Sequence, residues 1–261
     1  MGERAVLYEA ADRIGLITLN RPGHRNAMTP ELLDAFSEAT DEARADGEIR
    51  CLVITGKGKC FSAGADLRSS MQRTDLGKPS QEASFAMYEP FLKVLDVEVP
   101  VIAAMNGHTV GGGFGLALLA DIRVANVDAK YGVNFARLGI HSGLGISYVL
   151  PRLVGAACAS ELLFTGRLVR GDEALQIGLV THAEEASEVL PTAMQLARAV
   201  AGSAPLAVQQ MKASIRRGLG WDIRAAALEE AALQAASLDT EDAKEGVAAI
   251  LQKREPEFTG K

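Results

Sequence analysis

The chain has 261 residues, 48% of them hydrophobic, and carries a net charge of -6 with a pI near 5.4. That is enough apolar material for the core of one large α/β domain, with or without a small appendage, and too much for a disordered protein. Without a long Lys/Arg block or a basic balance, nucleic acid and anionic membrane are not expected partners, and an anionic ligand would need a local basic site.

Three cysteines, Cys51, Cys60 and Cys158, are odd in number and lack CxxC spacing, so neither a disulfide framework nor a thiolate metal site is expected. His24, His108, His141 and His182 are scattered, with no HExxH spacing, and no metal is expected. The opening MGERAVLYEA lacks an apolar signal core, and no apolar run approaches the ~20 residues of a membrane span. The expectation is a soluble cytoplasmic protein.

In chain order, AVLYEAADRIGLITLN predicts two short strands around Ala11 to Arg13, ahead of a turn at Arg21-Pro22-Gly23. From Thr29, with Pro30 at the first helical position, PELLDAFSEATDEARA places Leu32, Leu33, Phe36 and Ala39 on one face until Asp46-Gly47 ends the pattern. CLVITG at 51–56 and VPVIAAMNG at 99–107 predict buried strands, each leading into a glycine-bearing loop. Residues 69–82 are polar enough for a mobile loop. GFGLALLAD predicts a wholly buried helix, with further helices near 156–166, 171–177 and 186–202. From about Pro205 to Gln252 the sequence is Ala-, Leu- and Glu-rich, split by Gly218 to Gly220, which predicts a helical C-terminal subdomain. The expected division is a core over 1–203 and helices over 204–261.

The chemistry concentrates in two glycine loops. The first runs from CLVITG through GKGKC into Phe61-Ser62-Ala63-Gly64-Ala65-Asp66-Leu67, where small residues let a ligand approach the main chain and leave the amide of Ala65 exposed. The second, His108-Thr109-Val110-Gly111-Gly112-Gly113, opens a helix whose free N–H groups and positive end favour negative charge. Two amides from separate loops converging on one oxygen would make an oxyanion hole, worth about 3 to 4 kcal/mol per donor. A thioester enolate is the natural client. Each loop alone is equally well read as a tight strand-to-helix turn.

NRPGHRNAMTPEL at 20–32, GKCFSAGADL at 58–67, PVIAAMNGHTVGGGFGLALLADIRVA at 100–125, FTGRLVRGDEALQIGLV at 164–180 and the final KREPEF together resemble the crotonase (enoyl-CoA hydratase/isomerase) superfamily over nearly the whole chain. The resemblance implies the crotonase or ClpP-like fold, a spiral of ββα units with a helical C-terminal region that supports a homotrimer or a hexamer built as a dimer of trimers and covers the CoA site. It implies oxyanion donors at Ala65 and Gly112, and a CoA and substrate site lined by Arg25, Ala27, Ala63, Asp66, Leu67, His108 and Gly111. Lys253 matches a position that meets CoA phosphates. No permanently bound cofactor is implied, since coenzyme A arrives as part of the substrate.

The departures concern the acid/base groups. The two positions where similar hydratases carry water-activating glutamates are Gly115 and Phe135 here, and neither moves a proton. Losing one positioned acid or base typically costs on the order of a hundred- to ten-thousand-fold in rate. Related isomerases keep the second glutamate, so simple isomerisation is also disfavoured. An aromatic at the second position is similar to aryl-CoA dehalogenases, but the loop Gly139-Ile140-His141-Ser142-Gly143-Leu144-Gly145 has no nucleophilic aspartate. It offers His141, an imidazole suited to acid/base work. Glu82, Tyr88 and Glu89 fall in the segment that usually covers the acyl chain. A dehydrogenase lacks its GxGxxG and a serine hydrolase its GxSxG. The competing expectation is a non-catalytic acyl-CoA-binding or carrier protein.

Overall fold

The computed structural model describes residues 4–65, 80–218 and 222–260. Strands β1 (Val6–Ala11) and β2 (Ile14–Leu19) form the expected hairpin, in register from Val6 opposite Leu19 to Ala11 opposite Ile14. Its two-residue turn is Asp12 and Arg13, both at positive φ, 51° and 64°. This is the turn chemistry that suits a twisted hairpin, reached without the usual glycine.

From β2 onward the larger sheet is parallel. Its order is β1-β2-β3-β5-β7-β10, with β3 (Cys51–Gly56), β5 (Val101–Met105), β7 (Ile122–Asn126) and β10 (His182–Glu184). β3 and β5 are buried at every position because both faces are covered. Cys51, Val53, Ile102 and Ala104 point to one face, against Val189, Ala193 and Ala197 of a later helix (Val189–Ala201). Leu52, Ile54, Val101 and Ala103 point to the other, into the main core with Leu32 and Phe36. Alternate residues of one strand thus serve two layers.

The smaller sheet has the order β4-β6-β8-β9, from β4 (Cys60–Ser62), β6 (His108–Val110), β8 (Lys130–Gly132) and β9 (Val169–Arg170). Each successive pair, β3 with β4, β5 with β6 and β7 with β8, lays one strand in each sheet. That repetition is the spiral of ββα units that the resemblance implies. Two asparagines stack its corners. Asn106 Oδ1 accepts from Gly56 N (3.1 Å), Asn106 Nδ2 donates to Gly58 O (2.8 Å), and Asn126 Nδ2 donates to Asn106 O (3.0 Å).

The first helix, α1 (Pro30–Ala45), starts where the Thr29 hydroxyl accepts from Leu32 N at 3.3 Å. Its buried face meets α2 (Gln81–Leu92) through an edge-to-face pair, Phe36 and Phe91, with ring centroids 4.9 Å apart. The buried helix after β6 is α3 (Gly112–Leu119), every residue of which is buried. α4 (Ile146–Val154), α5 (Ala156–Thr165) and α6 (Gly171–Gln176) follow, and the Val189–Ala201 helix is α7.

Three helices end the chain: α8 (Pro205–Gly218), α9 (Ile223–Leu238) and α10 (Glu241–Gln252). α8 is anchored by Lys212, whose Nζ donates to Val99 O (2.7 Å) and pairs with Asp121 Oδ2 (2.8 Å). Asp121 also accepts from Val101 N, so one carboxylate ties a sheet strand to a C-terminal helix. α9 supplies an unusual cap. The buried Glu230 carboxylate accepts from the amides of Gly145 (2.6 Å), Ile146 (3.2 Å) and Ser147 (2.7 Å), the free N–H groups at the start of α4.

Candidate active site

The two glycine loops meet through their main chains. Gly64 has φ +77°, and a β carbon there would stand 2.7 Å from Val110 O and 3.1 Å from Gly112 N. Gly111 adopts φ 59° and ψ -128°, a conformation essentially closed to other residues, as it turns β6 into α3. One step along, a β carbon on Gly113 would stand 2.5 Å from that of Ser62. The absence of side chains here is therefore what lets the loops touch.

A third segment fixes the first loop. Arg25 and Asn26 both have positive φ, 53° and 50°, and the Arg25 carbonyl accepts from Ala63 N at 3.0 Å. Asn26 is fully buried, with Nδ2 donating to Cys60 O (2.9 Å) and Lys57 O (3.2 Å) and its carbonyl accepting from Ser62 Oγ (2.8 Å). Met28 forms a parallel bridge to Ala65, in which Met28 N donates to Gly64 O at 2.9 Å. Among the described residues nothing accepts from the N–H of Ala65. The N–H of Gly112, first residue of α3, has no partner within its helix either.

Around Gly112 the walls are apolar. The Met28 sulfur occupies the space a β carbon on Gly112 would need, and Cε1 of Tyr88 lies 3.6 Å from that position. Tyr88 is buried, and its ring also packs against Gly143. At Gly115 the space is filled by Leu144, whose own φ is 66°. Phe135 is 9% exposed, and its Cζ lies 3.9 Å from the β-carbon position of Gly111.

Over residues 9–261 the chain matches the enoyl-CoA hydratase/isomerase family. The chain belongs to that family. Its relatives include a short-chain-enoyl-CoA hydratase of Clostridium acetobutylicum, 35% identical over 97% of this chain and 96% of that one. Another is the (E)-benzylidenesuccinyl-CoA hydratase of Thauera aromatica, 35% identical over 98% and 99%. Among solved structures, the enoyl-CoA hydratase/isomerase of Pseudoalteromonas atlantica T6c superposes with a TM-score of 0.86 at 30% identity, covering 98% of this chain and all of that one.

As a crotonase-superfamily protein it gathers some of the residues expected from sequence and disperses others. Arg25, Ala27, Ala63, Ala65, Gly111 and Gly112 lie on three adjoining segments, with Arg25 and Ala65 exposed and Ala27 buried. Asp66, Leu67 and residues 69–79 of the loop expected over 69–82 lie outside the described residues, and the end of that stretch is helical instead, with Ser80 capping α2 and Gln81 and Glu82 in its first turn. His108 opens β6, at the opposite end from Gly111, and its Nδ1 accepts from Lys130 N at 3.1 Å. Lys253 is exposed at the left-handed C-cap of α10. No helix among the described residues is long and apolar enough to cross a membrane.

His141 is half-buried. Its amide donates to Ser237 Oγ (2.8 Å), and Nδ1 faces Ser142 O at 2.7 Å, so that nitrogen carries the proton and Nε2 is the basic atom of the neutral ring. Of the three residues expected over the acyl chain, Glu82 and Glu89 are exposed on α2 and Tyr88 is turned inward. Burial pushes the Cys60 thiol up, away from nucleophilic character. Asn26, Gln234 and Glu230 were not singled out from sequence. Asn26 had a signal, since asparagine tolerates positive φ. The other two lie on an alanine-rich helix where nothing marks a buried amide or carboxylate.

Proposed function

We propose that this family member binds an acyl-CoA thioester and stabilises its enolate with the amides of Ala65 and Gly112. The observation that carries the reading is the backbone contact of Gly64 with Gly112, beside two N–H groups that no described residue accepts. Each such donor is worth about 3 to 4 kcal/mol when it meets charge that develops only in the transition state. The apolar surroundings of Met28, Tyr88 and Phe135 exclude water and strengthen that interaction. The exposed cations Arg25 and Lys253 are the proposed partners of CoA phosphates.

The proposed reaction does not use the two-glutamate hydratase apparatus. Gly115 and Phe135 supply no carboxylate, and Leu144 occupies the room beside Gly115. His141, with Nε2 free to accept a proton, is the proposed acid/base group. A second reading, acyl-CoA binding without turnover, is favoured by the same hydrocarbon filling. The test follows loss of conjugated absorbance from crotonyl-CoA beside a two-glutamate hydratase, with CoA-ester affinity measured on the same sample. Binding with hydration slower by about a hundredfold or more supports the reading. Hydration at the control rate overturns the role given to Gly115 and Phe135, and absence of binding overturns the oxyanion assignment.

We further propose self-association through the C-terminal helices. Leu206, Met211 and Ile215 on α8 are 71%, 56% and 63% exposed, with Leu228 and Leu233 also exposed on α9. Such a concentration of apolar side chains suits a trimer or hexamer interface. Light scattering after size exclusion tests it, and a monomer at micromolar concentration would refute it.

A further inference from the structure

A histidine that moves a proton needs its ring held in place, and the ring is only as fixed as the backbone that carries it. His141 is held through both of its backbone polar groups. Its N–H donates to Ser237 Oγ (2.8 Å) and its carbonyl accepts from Gln234 Nε2 (3.0 Å), so two side chains one turn apart on α9 grip a single loop residue. The serine hydroxyl spends its own proton on Gln234 O (2.9 Å), which leaves its oxygen to serve the loop as an acceptor.

The imidazole makes a third contact, with Nδ1 2.7 Å from Ser142 O, and Nε2 has no partner among the described residues. The loop is pinned on either side as well. A β carbon on Gly139, at φ +69°, would stand 2.5 Å from Asp242 O at the start of α10, and Glu230 holds the amides of Gly145, Ile146 and Ser147. Glycines at 139, 143 and 145 would otherwise leave this stretch a wide choice of backbone conformations.

The clamped stretch borders the candidate site. A β carbon on Gly143 would stand 2.4 Å from Tyr88 Cε2, while Cε1 on the other edge of that ring lies 3.6 Å from the β-carbon position of Gly112. The loop and the proposed oxyanion amide thus share the two edges of one ring.

We infer that Ser237 and Gln234 are positioning residues, which hold the His141 backbone so that Nε2 is presented to the carbon next to the thioester carbonyl. This rests on the proposed roles of His141 and of the amides of Ala65 and Gly112. In the step they serve, Nε2 takes a proton from that carbon, the C–H electron pair becomes the enolate held by the two amides, and the imidazolium returns the proton. Neither Ser237 nor Gln234 touches the reacting atoms. Misplacing a reacting group by ~1 Å costs on the order of a hundredfold in rate, and the clamp prevents that loss.

The step can be read by itself, as exchange of the α protons of butyryl-CoA in D2O followed by mass spectrometry, with calorimetric affinity for the same ester measured on each sample. The variants are Ser237→Ala, Ser237→Thr, Gln234→Met and His141→Gln, with thermal melts confirming that each is folded. Exchange should vanish in His141→Gln and slow by about tenfold or more in Ser237→Ala and Gln234→Met, while affinity stays within about twofold. Ser237→Thr keeps the hydroxyl and should keep the exchange. Gln234 Nε2 also touches the Tyr88 hydroxyl, so Ser237, whose hydroxyl meets only His141 and its own helix, is the decisive position. Wild-type exchange in folded Ser237→Ala and Gln234→Met overturns the inference and leaves His141 in its role. Affinity that falls in step with the rate assigns the two side chains to structure alone and overturns it too. If the wild type does not exchange, or His141→Gln still does, His141 leaves the reaction and the inference falls with it.

Discussion

Leu144 stands in the volume a side chain at Gly115 would need: a β carbon on Gly115 would lie 2.6 Å from Leu144 Cδ2. Ile146 Cδ1 closes the same space at 3.2 Å. Gly115→Ala is therefore expected to destabilise the protein by about 1 to 3 kcal/mol through overpacking. Helix preference alone would stabilise it by up to ~1 kcal/mol. Urea denaturation reads the sign directly, and adding Leu144→Ala should recover part of the loss. The same crowding predicts that Gly115→Glu by itself gains no hydration of crotonyl-CoA.

Gly64→Ala tests the contact between the loops. Its positive φ and the 2.7 Å approach to Val110 O leave no room for a methyl group. The loops should part, and affinity for an acyl-CoA should fall by more than about tenfold if both amides address one oxygen. Titration of a folded variant with unchanged affinity would count against a shared hole.

The cap on α4 predicts a large effect on stability from a residue outside the glycine loops. Glu230→Ala leaves the amides of Gly145, Ile146 and Ser147 without their acceptor and should cost about 1.5 to 3 kcal/mol, the range for hydrogen bonds to a charged group. Denaturation midpoints at constant slope would measure it.

The tail after α10 gives a pH prediction. Glu245 takes two contacts from Arg254 and one from Glu257 N, and the Arg254 side chain with that amide holds its carboxyl down at about 2, below its ordinary 4.5. Asp242, held low by the amides of Thr259 and Gly260, fastens the end of the same tail. Because the folded value is the lower one, the attachment is complete above pH 4.5 and weakens as pH falls toward 2. Amide signals of Glu257 and Thr259 should show the tail loosening over that window, and Glu245→Gln should loosen it at neutral pH.

The parts legible in the sequence were those whose signals are local. Thr29 and Pro30 start α1, the β-branched runs at 51–56 and 99–107 hold β3 and β5, and the glycines mark both loops. What escaped depended on distant partners. α4 has Gly145 at its N-cap, with no side chain to announce a start, because its acceptor is Glu230 on α9. α2 begins at Gln81, capped by Ser80, inside the stretch 69–82 whose polarity predicts a loop, and the inward turn of Tyr88 is settled by Gly143 and Gln234. No periodicity within α2 encodes those partners.

The 85 residues that separate Glu230 from Gly145 set an order of events during synthesis. When α4 leaves the ribosome, the carboxylate that completes its first turn has not yet been translated, so that turn stays uncapped until α9 emerges. The loop carrying His141 and Leu144 leads into that turn and gains further support from Ser237 and Gln234 of the same late helix. A nascent chain stalled before α9 emerges would lack every one of those contacts to the His141 to Ser147 segment, so the wall this segment makes beside Gly115 is completed only near the end of translation.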